Sequence, residues 1–288
     1  LSSYGKVLVA SQELEPGVGW NYEAILNELT LNPSMDAFQL GKIIADTYEE
    51  FFIQNTEEYI KYMGWETTLS VIDLAKISDL TQEINELALW MKYYLDLYGR
   101  DVWLQLAKSR YFTPQFGGFY FTEDGYVISP GVVYGRSDLY QLVDYIFKNS
   151  TYNEIYSNAL DVKYKCMYSV HYSTAGVLKS NSKGISVFLP ITNAYVDMST
   201  YGSLLFSQNT AWDEFLYSYF CIQNQDQTPP IISDPSTWIT WTEVGWLNYV
   251  GEINGDDIAT YSIGIGLPDG TGTKLFCQFV VSTSVTSG

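Results

Sequence analysis

Few side chains in this sequence can serve as a nucleophile or as a proton-transfer base near neutral pH. There is one histidine, His171 in "SVHYS", and there are three cysteines, Cys166, Cys221 and Cys277. A thiol or hydroxyl nucleophile needs an imidazole within hydrogen-bond reach. Cys166 and His171 both fall in a run that reads as one strand, and their odd spacing puts them on opposite faces of it. No glycine opens a cleft beside that run, so the two do not make a dyad. The cysteines lie far apart without a CxxC spacing, which excludes the usual zinc knuckle. One disulfide plus a free thiol, and three buried thiols, both remain open. GxSxG, HExxH and Walker patterns are missing. Asp256 and Asp257 in "NGDDI" carry the hard oxygens that Ca²⁺ takes, without an EF-hand spacing. Turn chemistry accounts for the same stretch, and Ca²⁺ is the only cofactor the residues bring forward.

The other stretch with chemical potential is "VLVASQELEPGVGW", residues 7–20. A short apolar, mostly β-branched run ends abruptly at Ser11, Gln12 and Glu13. A Pro-Gly turn, a second glycine and Trp20 come next. Val7 to Ala10 reads as a strand buried on both faces, the pattern of a parallel sheet flanked by helices.

Periodicity marks the elements that would position these residues. Tyr22, Ile25, Leu26 and Leu29 share a helical face. Asn32-Pro33-Ser34 opens a second helix, with Ser34 or Asp36 as N-cap and Phe38, Leu40, Ile43, Ile44, Tyr48 and Phe51 as its apolar stripe. Leu69 to Ile72 is strand-like, and Asp73 caps the join to the next helix. Ile77, Leu80, Ile84, Leu87, Trp90 and Met91 form the stripe of that long helix, which Gly99 should close in a left-handed cap. Residues 111–135 are rich in Gly, Phe and Tyr and read as an irregular insertion with a hairpin at Asp124-Gly125. "SDLYQLVDYIFKNS" is a helix capped by Ser137 or Asp138. "ALDVKYKCMYSVHYSTAG" and "KGISVFLP" read as two strands, and "TAWDEFLYSYF" as the last helix. A polar, Pro-rich linker, "QNQDQTPPIISDPSTW", leads to an alternating tail with hairpin signals at Asn254-Gly255 and Asp269-Gly270. The domain reading is residues 1–224 for one α/β domain and 225–288 for the linker and a small antiparallel β-unit.

Bulk composition sets limits. The net charge is −18, from 15 Lys+Arg against 33 Asp+Glu, which excludes a nucleic-acid footprint and argues against anionic lipid. No apolar run reaches the length of a membrane span. The chain starts at Leu1 rather than Met and enters a strand within a few residues, as a processed or partial polypeptide would. Tyrosine is unusually common, at 25 residues, and suits half-exposed strands and broad contact surfaces.

Six segments together resemble the clostripain family of cysteine peptidases: "YGKVLVASQELEPGVGWNY", "NPSMDAFQLGKIIADTY", "TTLSVIDLAKI", "RSDLYQLVDYI", "KGISVFLP" and "TAWDEFL". They come in the family's order and cover about residues 4–220. The resemblance implies a caspase-like α/β fold with a partly parallel sheet. It also implies a peptide or protein substrate and an extracellular or cell-surface location. The family's catalytic histidine lies in a His-Gly segment and its nucleophile in an Asp-x-Cys segment. Both precede the part that this chain resembles, so the dyad is expected on an N-terminal companion chain or upstream segment.

By the same resemblance Ser11, Gln12, Glu13 and Trp20 are the substrate-binding candidates. Trp20 faces either substrate or core. Cleavage after basic residues, common in the family, asks for a carboxylate, with Glu13 first and Glu15 second. The rival reading keeps the scaffold without the chemistry, as an inactive extracellular binding protein or a surface-assembly protein.

Overall fold

The computed structural model describes residues 4–117, 135–191 and 197–225, the strands Phe119–Thr122 and Gly125–Ile128, and isolated strands from residue 231 onward. Strand β1, Val7–Ala10, is followed by helices α1, Tyr22–Leu31, α2, Ala37–Ile53, and α3, Glu58–Gly64. Asp36 is the N-cap of α2. Its carboxylate accepts from the Phe38 and Gln39 amides while the Gln39 side chain returns to the Asp36 N–H, a complete capping box. Strand β2, Thr68–Asp73, leads through a 3₁₀ turn at Leu74–Lys76 into α4, Ile77–Tyr98, and α5, Arg100–Phe112. Asp73 caps the 3₁₀ turn through the Ala75 amide.

Gly99 alone separates α4 from α5. Its φ of 55° lies in the region that an L-residue avoids, and its N–H closes α4 on the Leu95 carbonyl. The expected cap is therefore present, and a second helix that the pattern did not announce begins directly after it.

Three short strands come next, β3, Gln115–Phe116, β4, Phe119–Thr122, and β5, Gly125–Ile128. Strands β4 and β5 pair antiparallel across the expected hairpin, whose Asp124 lies outside the described residues. Then come β6, Arg136–Asp138, α6, Leu139–Asn149, α7, Asn153–Ser169, β7, Val170–Ala175, and β8, Ser186–Phe188. Helices α8, Met198–Gly202, α9, Leu205–Asn209, and α10, Trp212–Gln225, complete this part.

The segment around Cys166 departs from the strand reading. Val162, Tyr164, Cys166 and Tyr168 alternate as a strand would, yet the residues actually buried are Ile155, Ala159, Val162, Cys166 and Ser169. Their spacing of four, three, four and three is that of a helix face. Cys166 therefore sits on α7 and His171 on β7, on different elements rather than on two faces of one.

Beyond residue 225, β9, Ile231–Ile232, pairs with β12, Ile253–Asn254. Strand β10, Ile239–Trp241, pairs with β11, Leu247–Tyr249. Strands β13, Thr260–Pro268, and β14, Thr273–Ser282, form the longest hairpin. The hairpin expected around Asp269-Gly270 is formed, those two residues being outside the described set. At the one expected at Asn254-Gly255, Asn254 pairs backward with Ile231 of β9, and Gly255 lies outside the described residues. Asp256 and Asp257 lie outside the described residues.

The α/β class holds, but every strand pairing among the described residues is antiparallel, including β1–β2 and β2–β7 in the sheet ordered β1-β2-β7. A second sheet is ordered β3-β6-β8. An apolar run encodes burial and not direction, which is why the sequence suggested parallel pairing for β1. Leu69 and Val71 of β2 point into one core with Ala45, Tyr48 and Phe52 of α2. Ser70 and Ile72 point to the opposite face. A larger core joins α4, α5, α6, α7 and α10 around Leu87, Met91, Leu142, Val162 and Trp212. The Trp212 indole is fully buried and donates to the Phe188 carbonyl at 2.7 Å, tying α10 to β8.

Gly176, just after β7, lies so close to the backbone of Gly64 and Trp65 that a Cβ would stand 2.0 Å from the Gly64 carbonyl oxygen. Backbone cannot step aside as a side chain can. Gly176→Ala is expected to lower the unfolding free energy by about 3 kcal/mol, read as a shift of the urea midpoint at unchanged slope.

Candidate functional site

The polar tip of β1 is set by one hydroxyl. Thr68, at the start of β2, receives the backbone N–H groups of Gln12 and Glu13 on its Oγ1 at 3.0 and 3.1 Å, and its hydroxyl pairs with Ser11 Oγ at 3.0 Å. This folds residues 11–13 back over the end of the sheet as β1 ends. Ser70 Oγ sits between the carbonyls of Ala10 and Gly184, 3.0 and 2.8 Å away. It joins the first sheet to the segment that leads into β8.

Gln12 is buried, and its side chain bridges the two cores. Its Nε2 donates to Asp138 Oδ2 at 2.9 Å and its Oε1 accepts from Gly184 N at 2.8 Å. Asp138 caps α6 through the Gln141 amide and also accepts from the Lys183 amide. Desolvation raises the Asp138 pKa, with these hydrogen bonds opposing it.

Glu13 is also buried. One oxygen accepts from the amides of Leu14 and Gly117 at 2.9 and 2.7 Å, and the other lies 3.0 Å from Lys179 Nζ. Lys179 also approaches Glu66 at 3.3 Å. Burial, the largest cause, pushes the Glu66 carboxyl up, and Lys179 pulls it back down. Trp20 packs on the α2 side of the sheet, and its indole donates to the exposed Glu15 carboxylate at 2.7 Å. Of the four sequence candidates, Ser11 and Gln12 line a cleft against the sheet. Glu13 and Trp20 do not line it.

That cleft has a volume of about 860 Å³ and lies against the sheet face carrying Leu8, Ala10, Ser70 and Ile72. Its far walls come from α4, α9 and the approach to β8, with Gln82, Asn85 and Asn209 among the lining residues; Asn85 Oδ1 accepts from the Ala211 amide and Asn209 Nδ2 donates to the Leu205 carbonyl. Among the described residues no acid, base, thiol or imidazole lines it. The hydroxyl and amide lining, absent from the sequence candidates apart from Ser11 and Gln12, had no sequence signal: Gln82 and Asn85 are ordinary polar positions of an amphipathic helix.

Cys166 is sealed in the core of α7, and burial drives its thiol pKa far up, the opposite of an activated nucleophile. His171 is exposed on β7 and packs on Phe38, with ring centroids 4.6 Å apart and the rings tilted by 40°. Neither has a catalytic setting. No cluster of three or more metal-ligating side chains exists among the described residues, and no helix there is long and apolar enough to cross a membrane.

Comparison with known proteins gives a context. No curated protein matches the chain. Among solved structures, a cysteine protease of B. fragilis matches at 15% identity with a TM-score of 0.44, covering 73% of this chain and 81% of that one. A secreted C11 cysteine protease from Bacteroides thetaiotaomicron, solved with an irreversible peptide inhibitor, matches at 12% identity with a TM-score of 0.39. The match covers 74% of this chain and 52% of that protein, about half its length. The model of the clostripain family, peptidase C11, matches residues 1–219. With that match over most of its 288 residues, this chain belongs to the clostripain family.

Proposed function

We propose that this chain is the C-terminal portion of a clostripain-type cysteine endopeptidase of caspase-like fold, secreted or displayed at the cell surface. Its His/Cys dyad is carried by preceding polypeptide or by a companion chain. In this reading residues 1–224 are the peptidase portion and 225–288 the linker and an appended β-unit. The observation that carries it is the state of β1. This strand is flanked by β2 on one side and has no strand partner among the described residues on the other. An unpaired Val-Leu-Val-Ala edge is a template for a further strand. A strand added there would end beside Ser11 and Gln12, at the mouth of a cleft that lacks only reactive groups.

The chemistry comes with the family. A thiolate attacks the peptide carbonyl, the imidazole takes and returns the proton, and backbone N–H groups hold the oxyanion. This chain contributes the cleft walls: the Ser11 hydroxyl, the Gln12 backbone and the α4 amides. A preference for basic residues needs a carboxylate whose charge is still available. Glu13 faces Lys179 in the interior, whereas Glu15 is exposed and accepts from the neutral indole of Trp20. Glu15, the second of the two sequence candidates, therefore takes the specificity role here.

Three tests apply to the polypeptide that includes the preceding segment. Labelling with a peptidyl chloromethyl ketone should modify a cysteine outside residues 1–288. Cys166→Ser should leave hydrolysis within about twofold of wild type. An inert protein with both His-Gly and Asp-x-Cys segments present would leave the inactive scaffold as the better account. Glu15→Gln should lower kcat/KM for Arg and Lys substrates by about tenfold or more, the worth of one charge-assisted contact. Substrates with neutral side chains should be unaffected, and an unchanged basic preference would remove Glu15 from the role.

A further inference from the structure

The tip of β1 is held from beneath by a single ammonium. Lys179 ends the 3₁₀ turn Val177–Lys179, only 7% exposed. Its backbone is anchored nearby: Gly176 N donates to the Thr67 carbonyl and Leu178 N to the Trp65 carbonyl. From that base Nζ reaches Glu13 at 3.0 Å, Glu66 at 3.3 Å and the Gln115 carbonyl at 2.8 Å, above the ring of Phe116. Segments 11–14, 65–67, 115–117 and 176–179 therefore meet at one charge.

Two carboxylates on one ammonium is an unbalanced arrangement in a buried site. Glu13 Oε2 and Glu66 Oε2 are both fully buried and find no hydrogen-bond partner of good geometry. Their closeness is tolerable only while the cation stands between them. Without it, two like charges face each other in a low-dielectric setting, so one carboxyl takes up a proton or the more movable one leaves, and the ion pair that anchors Glu13 is lost either way. Glu66 leads directly into β2, whereas Glu13 belongs to a loop. Glu13 would move, and with it the Leu14 and Gly117 amides that share its other oxygen.

We infer that Lys179 is a positioning residue for the cleft: acting through Glu13, it holds Ser11 and Gln12 at the cleft wall. It touches neither substrate nor reacting atoms. The kinetic part of this inference rests on the peptidase reading, and the structural part stands without it.

The test uses the polypeptide that includes the preceding segment, with Lys179→Met, Glu13→Gln, the pair of both, and Lys179→Met combined with Glu66→Gln. In Lys179→Met, the amides of residues 12–17 should exchange with deuterium about tenfold faster or more, while α4 and α10 keep their protection. KM for peptides should rise about tenfold with kcat within about threefold, and iodoacetamide should alkylate the reactive cysteine at the wild-type rate. In the Glu13→Gln background Lys179→Met should add little to either change. Glu66→Gln removes the opposed carboxylate, so its combination with Lys179→Met should fold and bring the exchange of residues 12–17 back toward wild type; where Lys179→Met alone does not fold, that rescue is the readout.

Unchanged protection of residues 12–17, or equal added effects in the Glu13→Gln background, overturns the inference. A parallel fall of kcat, alkylation rate and melting temperature reduces Lys179 to a general structural role and also overturns it. If wild type hydrolyses no peptide and no cysteine reacts, the peptidase reading fails, while the exchange measurement still decides what Lys179 holds.

Discussion

The fold depends on how the polar end of one short strand is buried. Val7–Ala10 brings a main chain into the junction between two cores, and Gln12 must satisfy both sides at once. Its amide gives a hydrogen bond to Asp138 and takes one from Gly184. Asp138 in turn caps α6 and holds the Lys183 amide. A buried carboxylate is tolerated when several N–H groups converge on it, and an unmatched one costs several kcal/mol. Each of these donors is therefore needed by the others. The α2-side core and the α4-side core are joined by polar groups with one solution, so the strand end is fixed rather than merely packed.

This explains which parts of the structure could be read from sequence. Local chemistry was legible wherever one residue decides one feature. Asp36, one of two N-cap candidates, caps α2, Gly99 closes α4 at a positive φ, and Asp138, again one of two candidates, caps α6. Direction and partner choice were not legible, because they are decided at long range. The apolar run of β1 is the same for a parallel or an antiparallel neighbour. The alternation through Val162, Tyr164 and Cys166 is a fair strand pattern until one knows that the α4 surface waits for Ile155, Ala159 and Val162.

The site shows the same division. Ser11 and Gln12 stand where an abrupt polar strand end suggests, at the rim of a cleft. Glu13 comes directly after them in sequence but turns inward, since Lys179 arrives from more than 160 residues later in the chain. No local rule reveals that a carboxylate is already matched. The polar walls supplied by Gln82, Asn85 and Asn209 were equally silent, because on a helix surface an amide facing a cleft looks like an amide facing water.

Charge has a similar hidden side. The chain carries 15 basic residues against 33 acidic ones, and several of the basic ones are committed. Lys42, Lys92, Lys148, Lys163, Lys165 and Lys179 all sit in ion pairs with neighbouring carboxylates, and Arg110 is buried against the Leu189 carbonyl. The remaining field is strongly negative and acts over about a Debye length, roughly 8–10 Å at moderate salt. Such a field concentrates cationic peptides near the surface and speeds their arrival whatever the cleft itself reads. Attraction to basic partners and selection for a basic side chain are thus separable properties. The first arises from net charge and fades with added salt. The second requires an unopposed carboxylate in contact, which Glu13, paired in the interior with Lys179, does not offer.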